Sequence, residues 1–193
     1  VDLALYVHRY DSEGNAVGDP LEIHGDGHAP ENADVLALQD GGYLLLWQAQ
    51  GDGFPEGTFR ADTDIFMQRF DADGNQVGAT RTVNRGMTDD LTDQTNVTAA
   101  QLANGDIIVA WESGSSERNV FMERFNSELE YLTRDSTRFN DATSPGEVQP
   151  AIVALDDGGF FVTWSGKGIR AHSRQDDGTL TQPRIIGDAN NNT

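Results

Sequence analysis

Short alternating or fully apolar runs, each bounded by a turn signal, recur along the whole chain. In the clearest copy, residues 97–102 alternate, Asn104-Gly105 turns, and a second apolar run ends at Trp111. Asn-Gly between two β-rich runs is typical of a hairpin, because both residues tolerate the positive φ of a tight turn. Runs of the same type end at Trp47 and Trp164. The pattern predicts β-strands throughout and lacks the periodicity of a helix.

A second type of hairpin follows each of these, and it is centred on an arginine between aromatic residues. In one copy, residues 65–70 run out, residues 71–75 turn, and residues 77–83 return. The arginines recur at intervals of 60 and 55 residues and the Trp residues at 64 and 53, which is typical of propeller blades and other stacked repeats. The recurring arginines are Arg9, Arg69 and Arg124.

One hairpin of each type makes a unit of four antiparallel strands. We therefore predict an all-β, β-propeller-like fold of tandem four-stranded antiparallel blades, about three and a half of them. Residues 1–193 are expected to form one repeat-built domain or a fragment of a larger propeller, and an open array of small sheets is the alternative. The predicted units are approximately 1–34 (a half-blade), 35–96, 97–150 and 151–193.

The charge of the chain narrows the classes of partner. The 193 residues contain 32 Asp and Glu against 13 Lys and Arg, so the formal net charge is −19. Such a surface repels nucleic acids and anionic membranes, and no apolar run approaches the ~20 residues that span a bilayer. The absence of Cys excludes disulfides and thiolate metal sites. A calcium-containing extracellular medium suits this composition, because it screens or bridges carboxylates.

The best-preserved repeat resembles one found in a known class of proteins. Residues 66–78 read Phe-Met-Gln-Arg-Phe-Asp-Ala-Asp-Gly-Asn-Gln-Val-Gly, and the Trp-ended hairpin up to Trp111 follows. This arrangement resembles the tandem repeats of very large, secreted, calcium-dependent bacterial adhesins of the repeats-in-toxin (RTX) type. The resemblance implies an extracellular or cell-surface location and a structural role for Ca²⁺.

Calcium ligands are expected in the acidic loops between strands, because Ca²⁺ prefers carboxylate oxygens. The candidate ligands are Asp52, Asp62, Asp64, Asp89, Asp90 and Asp93. Residues 71–75 could begin an EF-hand loop, but Thr82 stands where that loop needs a Glu, so we interpret them as a hairpin turn. His24 and His28 have a zinc spacing, yet the glycines beside them favour a loop with incidental histidines.

The repeated Trp and Arg residues are predicted to be structural. Trp47, Trp111 and Trp164 are expected to pack between adjacent blades. Each repeated arginine is expected to pair with a carboxylate of a neighbouring unit, and an anion-binding central channel is the alternative. The half-blade at residues 5–23 has no Trp-ended mate, so its open edge should pair with another copy of the chain or with the rest of a longer parent chain.

Two functions are considered. The first is a non-enzymatic, extracellular structural or adhesive repeat module of a large bacterial surface protein, assembling through blade edges. The alternative is a carbohydrate-binding propeller module, in which the loop at residues 48–64 holds a glycan with Phe54 and Phe59. No catalytic residue is assigned, and a glycoside hydrolase is disfavoured because no carboxylate has a context that fixes it about 5–10 Å from a partner.

Overall fold

The computed structural model contains strands and turns but no helix in the part of the chain that it describes, which confirms the all-β prediction. None of these residues forms a helix that could cross a membrane. The described residues are 4–24, 29–50, 62–85, 92–114, 118–132, 137–138, 146, 148–166, 169–174 and 184–187.

The strands form three four-stranded antiparallel sheets and one two-stranded sheet. The two-stranded sheet, called the half-blade, contains β1 (Ala4–Val7) and β2 (Leu21–His24). Sheet 1 contains β3 (Glu31–Ala37), β4 (Tyr43–Gln50), β5 (Thr63–Phe70) and β6 (Gln76–Thr82). Sheet 2 contains β7 (Gln94–Gln101), β8 (Ile107–Ser113), β9 (Asn119–Phe125) and β10 (Thr137–Arg138). Sheet 3 contains β11 (Val148–Ala154), β12 (Phe160–Ser165), β13 (Ile169–Arg174) and β14 (Arg184–Gly187).

Strands that follow one another in the chain are also neighbours in each sheet. This order confirms the four-stranded antiparallel units and the additional half unit that the hairpin pattern predicts. The described sheets remain separate and do not close into a ring. In each four-stranded sheet the first two strands form the Trp-ended hairpin, and the last two form the Arg-centred hairpin.

Apolar side chains fill the spaces between successive sheets. Trp111 of β8 is fully buried in a cluster that includes Leu46 and Met67 of sheet 1. Trp164 packs in the same way with residues of sheet 2, and Trp47 packs against Leu5, Val7 and other residues of the half-blade. The prediction that the Trp residues pack between adjacent units is confirmed, so the contacts between units form the hydrophobic core.

The first two strands of each four-stranded sheet are joined by the same short turn, at residues 38–42, 102–106 and 155–159. We call the end of the sheets that carries these turns the turn end. Here the recurring arginines bind differently from the prediction. Arg69 forms an ion pair with Asp40, and Arg124 Nη2 lies 2.5 Å from Asp106 Oδ2. Both carboxylates belong to the arginine's own sheet, because the acidic turn residue lies beside the adjacent strand of that sheet.

Arg9 and Arg69 reach the next sheet through carbonyl oxygens instead. Arg69 Nη1 donates to Ser127 O at 2.7 Å, and Arg9 Nη2 donates to Ala72 O at 2.6 Å. Each contact crosses to the Arg-centred hairpin of the following sheet. The expected carboxylate of a neighbouring unit is therefore replaced by backbone acceptors. For Arg69 these acceptors complete a guanidinium that Asp40 of its own sheet already neutralises.

The turn at residues 71–75 has the structure that the sequence predicts. Asp71 Oδ1 accepts from the backbone N–H groups of Asp73 and Asn75, at 3.0 and 2.8 Å. These hydrogen bonds hold the pKa of Asp71 below its usual value, with the amide of Asn75 contributing most. Gly74 supplies the positive φ of 91°. The carboxylate is used by its own backbone, as in other Asx turns.

The sequence of the corresponding turn in sheet 2 is degraded, but its structure is kept. Asn126 Oδ1 accepts from the N–H groups of Glu128 and Glu130, at 3.1 and 2.8 Å. Leu129 stands where the first sheet has glycine, and it adopts a φ of 61°. Its side chain is buried in the cluster between sheets 1 and 2. Apolar burial therefore offsets a backbone conformation that is unfavourable for leucine.

Candidate functional site

The end opposite the turn end is marked by an irregularity that recurs in all three four-stranded sheets. The pairing of the first strand with the second shifts between Glu31 and Asp34, and shifts at equivalent places in the other two sheets. Inside each shift lies one non-glycine residue with positive φ. These residues are Asn32 (47°), Asn96 (53°) and Gln149 (57°). We call this end the bulge end, because the extra residue in each pair is a β-bulge.

The residue that follows each Trp explains how two of these bulges are held. Gln48 Oε1 accepts a hydrogen bond from the backbone N–H of Asn96 in the next sheet, at 3.3 Å. Glu112 Oε1 accepts from the backbone N–H of Gln149 in the sheet after that, at 2.5 Å. The same position in two successive sheets thus satisfies a bulge N–H group that the strand ladder leaves free.

Glu112 is the most heavily bonded of these residues. Its side chain is 1% exposed and receives three donors from different segments. Asn96 Nδ2 lies 2.6 Å from Oε1, the N–H of Gln149 binds the same oxygen, and Arg118 Nη1 lies 2.8 Å from Oε2. A carboxylate is tolerated at such a depth only when it is paired and hydrogen-bonded. Glu112 therefore fixes two bulges relative to each other.

The three bulges meet around one cavity of about 360 Å³, here called the bulge cavity. Its described lining consists of Asn32, Ala33, Asp34, Asn96, Val97, Gln149 and Pro150. Two amide side chains of Asn, one of Gln and one carboxylate thus stand among small apolar groups. Amide groups both donate and accept hydrogen bonds, as sugar hydroxyl groups require. A cavity of this size and mixed lining suits a small polar ligand.

The charge of the bulge cavity also limits its ligand. Asp34 is the carboxylate in the described lining, and none of the described lining residues is a Lys or Arg. With a net charge of −19 on the chain, an anionic ligand would meet repulsion without a compensating cation. The arrangement therefore disfavours an anionic ligand and is compatible with a neutral one.

The described residues at the two ends of the predicted ligand-binding segment, 48–50 and 62–64, lie at the bulge end. Gln48 and Asp64 belong to the paired ends of β4 and β5, and Gln48 contacts Asn96 of the cavity lining. Phe54 and Phe59 lie outside the described residues, so their predicted role stays untested.

Three of the six predicted calcium ligands are described, and they are used by the protein itself. Asp64 Oδ1 accepts from Asn84 Nδ2 at 2.6 Å, Asp93 Oδ1 accepts from the N–H of Thr63 at 3.1 Å, and Asp62 is buried. Within the described ranges, no group of three or more acidic or histidine side chains could hold a metal ion. Asp52, Asp89 and Asp90 lie outside the described residues, so the calcium site stays a prediction. His24 contacts Glu22, and His28 is not among the described residues.

No protein-family model matches the chain, and no functionally characterised protein sequence does either. Solved structures match its fold. An α-L-arabinofuranosidase of Fusarium graminearum, solved with arabinobiose, is similar over 95% of this chain and 55% of its own, with 13% identity and a TM-score of 0.63. A protein of Bifidobacterium bifidum described as an exo-β-1,3-galactanase is similar over 91% of this chain and 59% of its own, with 14% identity and a TM-score of 0.57.

An endo-arabinanase of Bacillus licheniformis is similar over 85% of this chain and 62% of its own, with 12% identity and a TM-score of 0.52. This chain therefore spans less than two thirds of the length of each of these proteins. They are propeller-type glycoside hydrolases, and the likeness concerns the fold. It contradicts the sequence-based prediction that the protein is not an enzyme, because glycoside hydrolases are built on this arrangement of sheets. The absence of a recognisable catalytic motif was not a sound reason for that exclusion.

The residues that form the bulge cavity are not among those that the sequence pattern indicates. Asn32, Asn96 and Gln149 stand just before the apolar runs that predict the first strand of each four-stranded unit, so the hairpin pattern does not include them. The signal that could have found them is the polar residue directly after two of the Trp residues, Gln48 and Glu112. A polar side chain that ends a fully buried strand needs a partner, and that partner lies in the next sheet.

Proposed function

We propose that this chain is part of a carbohydrate-binding propeller and that the bulge cavity holds a neutral glycan near the propeller axis. The observation that carries the proposal is the convergence of three equivalent bulges on one cavity with amide side chains and a carboxylate. Backbone positions with positive φ at non-glycine residues are unfavourable, and they are concentrated at functional sites. Long connections on a rigid sheet scaffold are also where binding residues gather.

The fold comparison supports a carbohydrate ligand. One of the similar structures contains arabinobiose, and the others are named for action on arabinan or galactan. All of these ligands are neutral, in agreement with the charge argument for the bulge cavity. The predicted extracellular location, which rests on the resemblance to secreted adhesin repeats, would bring the protein into contact with such glycans.

Titration calorimetry with arabino- and galacto-oligosaccharides tests the proposal on the full chain. Asn32→Gly removes an amide from the cavity and keeps a backbone that accepts positive φ, so it should weaken binding about tenfold, as expected for one lost hydrogen bond to a ligand. Gln39→Ala is the control, because it removes an amide from the same pair of sheets at the turn end.

Binding that survives Asn32→Gly but is lost in Gln39→Ala would contradict the proposed site. Failure of the full chain to bind any of these oligosaccharides would contradict the proposed function. A reducing-sugar assay on the same samples measures hydrolysis. If the cavity also catalyses cleavage, Asp34→Asn should abolish the release of reducing ends while oligosaccharide binding persists, because Asp34 is the carboxylate in the described lining.

A further inference from the structure

The half-blade corresponds to the Arg-centred hairpin, which forms the last two strands of each four-stranded sheet. Its Arg9 aligns with Arg69 and Arg124, and it contacts the backbone of the following sheet in the same way as Arg69 does. Among the described residues, β1 pairs with β2 and no strand pairs with its other edge. In sheets 1 and 2 the corresponding edge, that of β5 or β9, is covered by the Trp-ended hairpin.

The aromatic residues of the half-blade lack the cover that their equivalents have. Tyr10 is 63% exposed, whereas Phe70 and Phe125 at the same position are 3% and 0% exposed. Tyr6 is 57% exposed. In sheets 1 and 2 the position that corresponds to Tyr6 holds a phenylalanine, which stacks on the Trp of the adjacent strand. These pairs are Phe66 with Trp47 and Phe121 with Trp111, with ring centroids 6.1 and 6.3 Å apart.

The first strand of sheet 1, which lies across from the half-blade, also carries an apolar side chain that is left uncovered. Val35 is 61% exposed. Its equivalents in the next two sheets, Ala99 and Ile152, pack into the clusters that join each sheet to the one before it. A groove lies between the half-blade and sheet 1, and its walls include Tyr6, Arg9 and Val35. The groove therefore occupies the place that the Trp-ended hairpin fills in the four-stranded sheets.

Arg9 adds a charge requirement. The equivalent residues Arg69 and Arg124 each form an ion pair with an acidic residue in the turn of the Trp-ended hairpin of their own sheet. These acidic residues are Asp40 and Asp106. In the described part of the chain, no carboxylate stands in ion-pair contact with Arg9. An acidic turn residue on a hairpin seated in the groove would lie beside this guanidinium, since the register of the repeat places it there.

We infer that the groove beside β1 is a docking site for a Trp-ended β-hairpin of this same repeat type, with an acidic residue in its turn. The Trp would stack on Tyr6, the first strand would cover Val35, and the acidic residue would pair with Arg9. A second copy of this chain does not offer such a hairpin freely, because its three Trp-ended hairpins already pair with their own outer strands. The partner is therefore a segment that carries a Trp-ended hairpin not already paired with an Arg-centred hairpin.

An extended chain tests this inference. A copy of residues 94–118, which contain β7, β8 and the connection to β9, replaces residues 1–3 of the full chain. The copied β8 is then connected to β1 by the same number of residues that connect β8 to β9. We expect hydrogen exchange of the β1 amides to slow by at least about tenfold, and the melting temperature to rise by about 5 °C. The control is the same extension with the copied Trp111 replaced by Ala and the copied Asp106 by Asn.

The inference predicts that the control extension protects β1 much less than the intact extension does. Equal exchange in β1 for the extended and unextended chains would overturn it, as would equal protection by the two extensions. Sedimentation of the unextended chain tests the other occupant. A dimer that Tyr6→Lys dissociates would show that a second copy covers the groove, and would also overturn the inference.

Discussion

The two ends of the sheets are held by different kinds of interaction. At the turn end, the Asp and Asn side chains of the turns bond to their own hairpin, whereas Arg9, Arg69 and Gln39 reach the next sheet. Asp71 and Asn126 accept backbone N–H groups of the residues that follow them, and Asp40 accepts from the N–H of Gly42 at 3.0 Å. At the bulge end, Gln48 and Glu112 accept the backbone N–H groups of the next sheet.

This difference separates what one unit can form alone from what needs a neighbour. A hairpin turn with its own Asx hydrogen bonds can form before the sheets stack. The positive φ values at Asn96 and Gln149 are stabilised by acceptors in the preceding sheet, so the bulge cavity depends on stacking. Substitutions of Gln48 and Glu112 at the bulge end should therefore affect the contact between sheets, whereas substitutions of the Asx-turn residues at the turn end should act locally.

The largest effect is expected for Glu112→Ala. The change leaves the side chain of Asn96, the N–H of Gln149 and the guanidinium of Arg118 without their acceptor, so the free energy of unfolding should fall by about 3 kcal/mol. Glu112→Gln is the matched variant, because Gln48 performs the same task in the preceding sheet, and its loss should be clearly smaller. Urea denaturation measures both variants.

The turn end supplies the contrast for this prediction. Asp71→Ala removes an acceptor of several hydrogen bonds, but the groups it leaves are exposed to water. Its effect on the unfolding midpoint should be well below that of Glu112→Ala. An equal or larger effect would contradict the view that the bulge end couples the sheets.

A smaller loss is expected for Leu129→Gly. Glycine relieves the positive φ at this position, but it removes a side chain buried between sheets 1 and 2. Burial is the larger of the two contributions, so the free energy of unfolding should fall by about 2 kcal/mol in urea denaturation. A gain in stability would show that backbone strain at Leu129 outweighs the burial of its side chain.

The turn end could be predicted from the sequence and the bulge end could not. Asn104-Gly105 and residues 71–75 have compositions that fix their conformation, since the stabilising groups lie within a few positions along the chain. The number of strands and the burial of Trp111 followed from the same local patterns. Glu112 and Gln149 are far apart in sequence, and their contact depends on how two sheets stack. No local pattern contains that information.

The arginines show the same limit within a single class of residue. The repeat identified Arg9, Arg69 and Arg124 as structural, but it did not reveal that the ion pair of Arg69 lies within its own sheet and that its contact to the next sheet uses a carbonyl. Periodicity locates equivalent positions and leaves the partner of each position open.

Gln149→Gly should separate stability from function at the bulge end. Glycine accepts the positive φ and keeps the N–H group that Glu112 binds, so the free energy of unfolding should rise by about 0.5 kcal/mol despite the greater freedom of the unfolded chain. Oligosaccharide binding should weaken, because the amide leaves the bulge cavity. Gln149→Ala is the control, since it removes the amide without relieving the backbone and should not gain stability. Equal stability of the two variants would contradict the role assigned to positive φ.

The smallest effect is expected from acid at the turn end. The N–H of Gly42, followed by the guanidinium of Arg69, holds the pKa of Asp40 below its ordinary value of 3.8. A carboxyl whose pKa is lower in the folded state contributes stability above its unfolded pKa and loses that contribution as the pH falls through the folded pKa. The advantage of the parent chain over Asp40→Asn should therefore be constant at neutral pH and decline below about pH 4. Because the Asp40 side chain is 51% exposed, this advantage should stay below about 1 kcal/mol and shrink in high salt. Urea denaturation from pH 7 to pH 3 measures it, and a difference that grows with acidity would contradict the assignment.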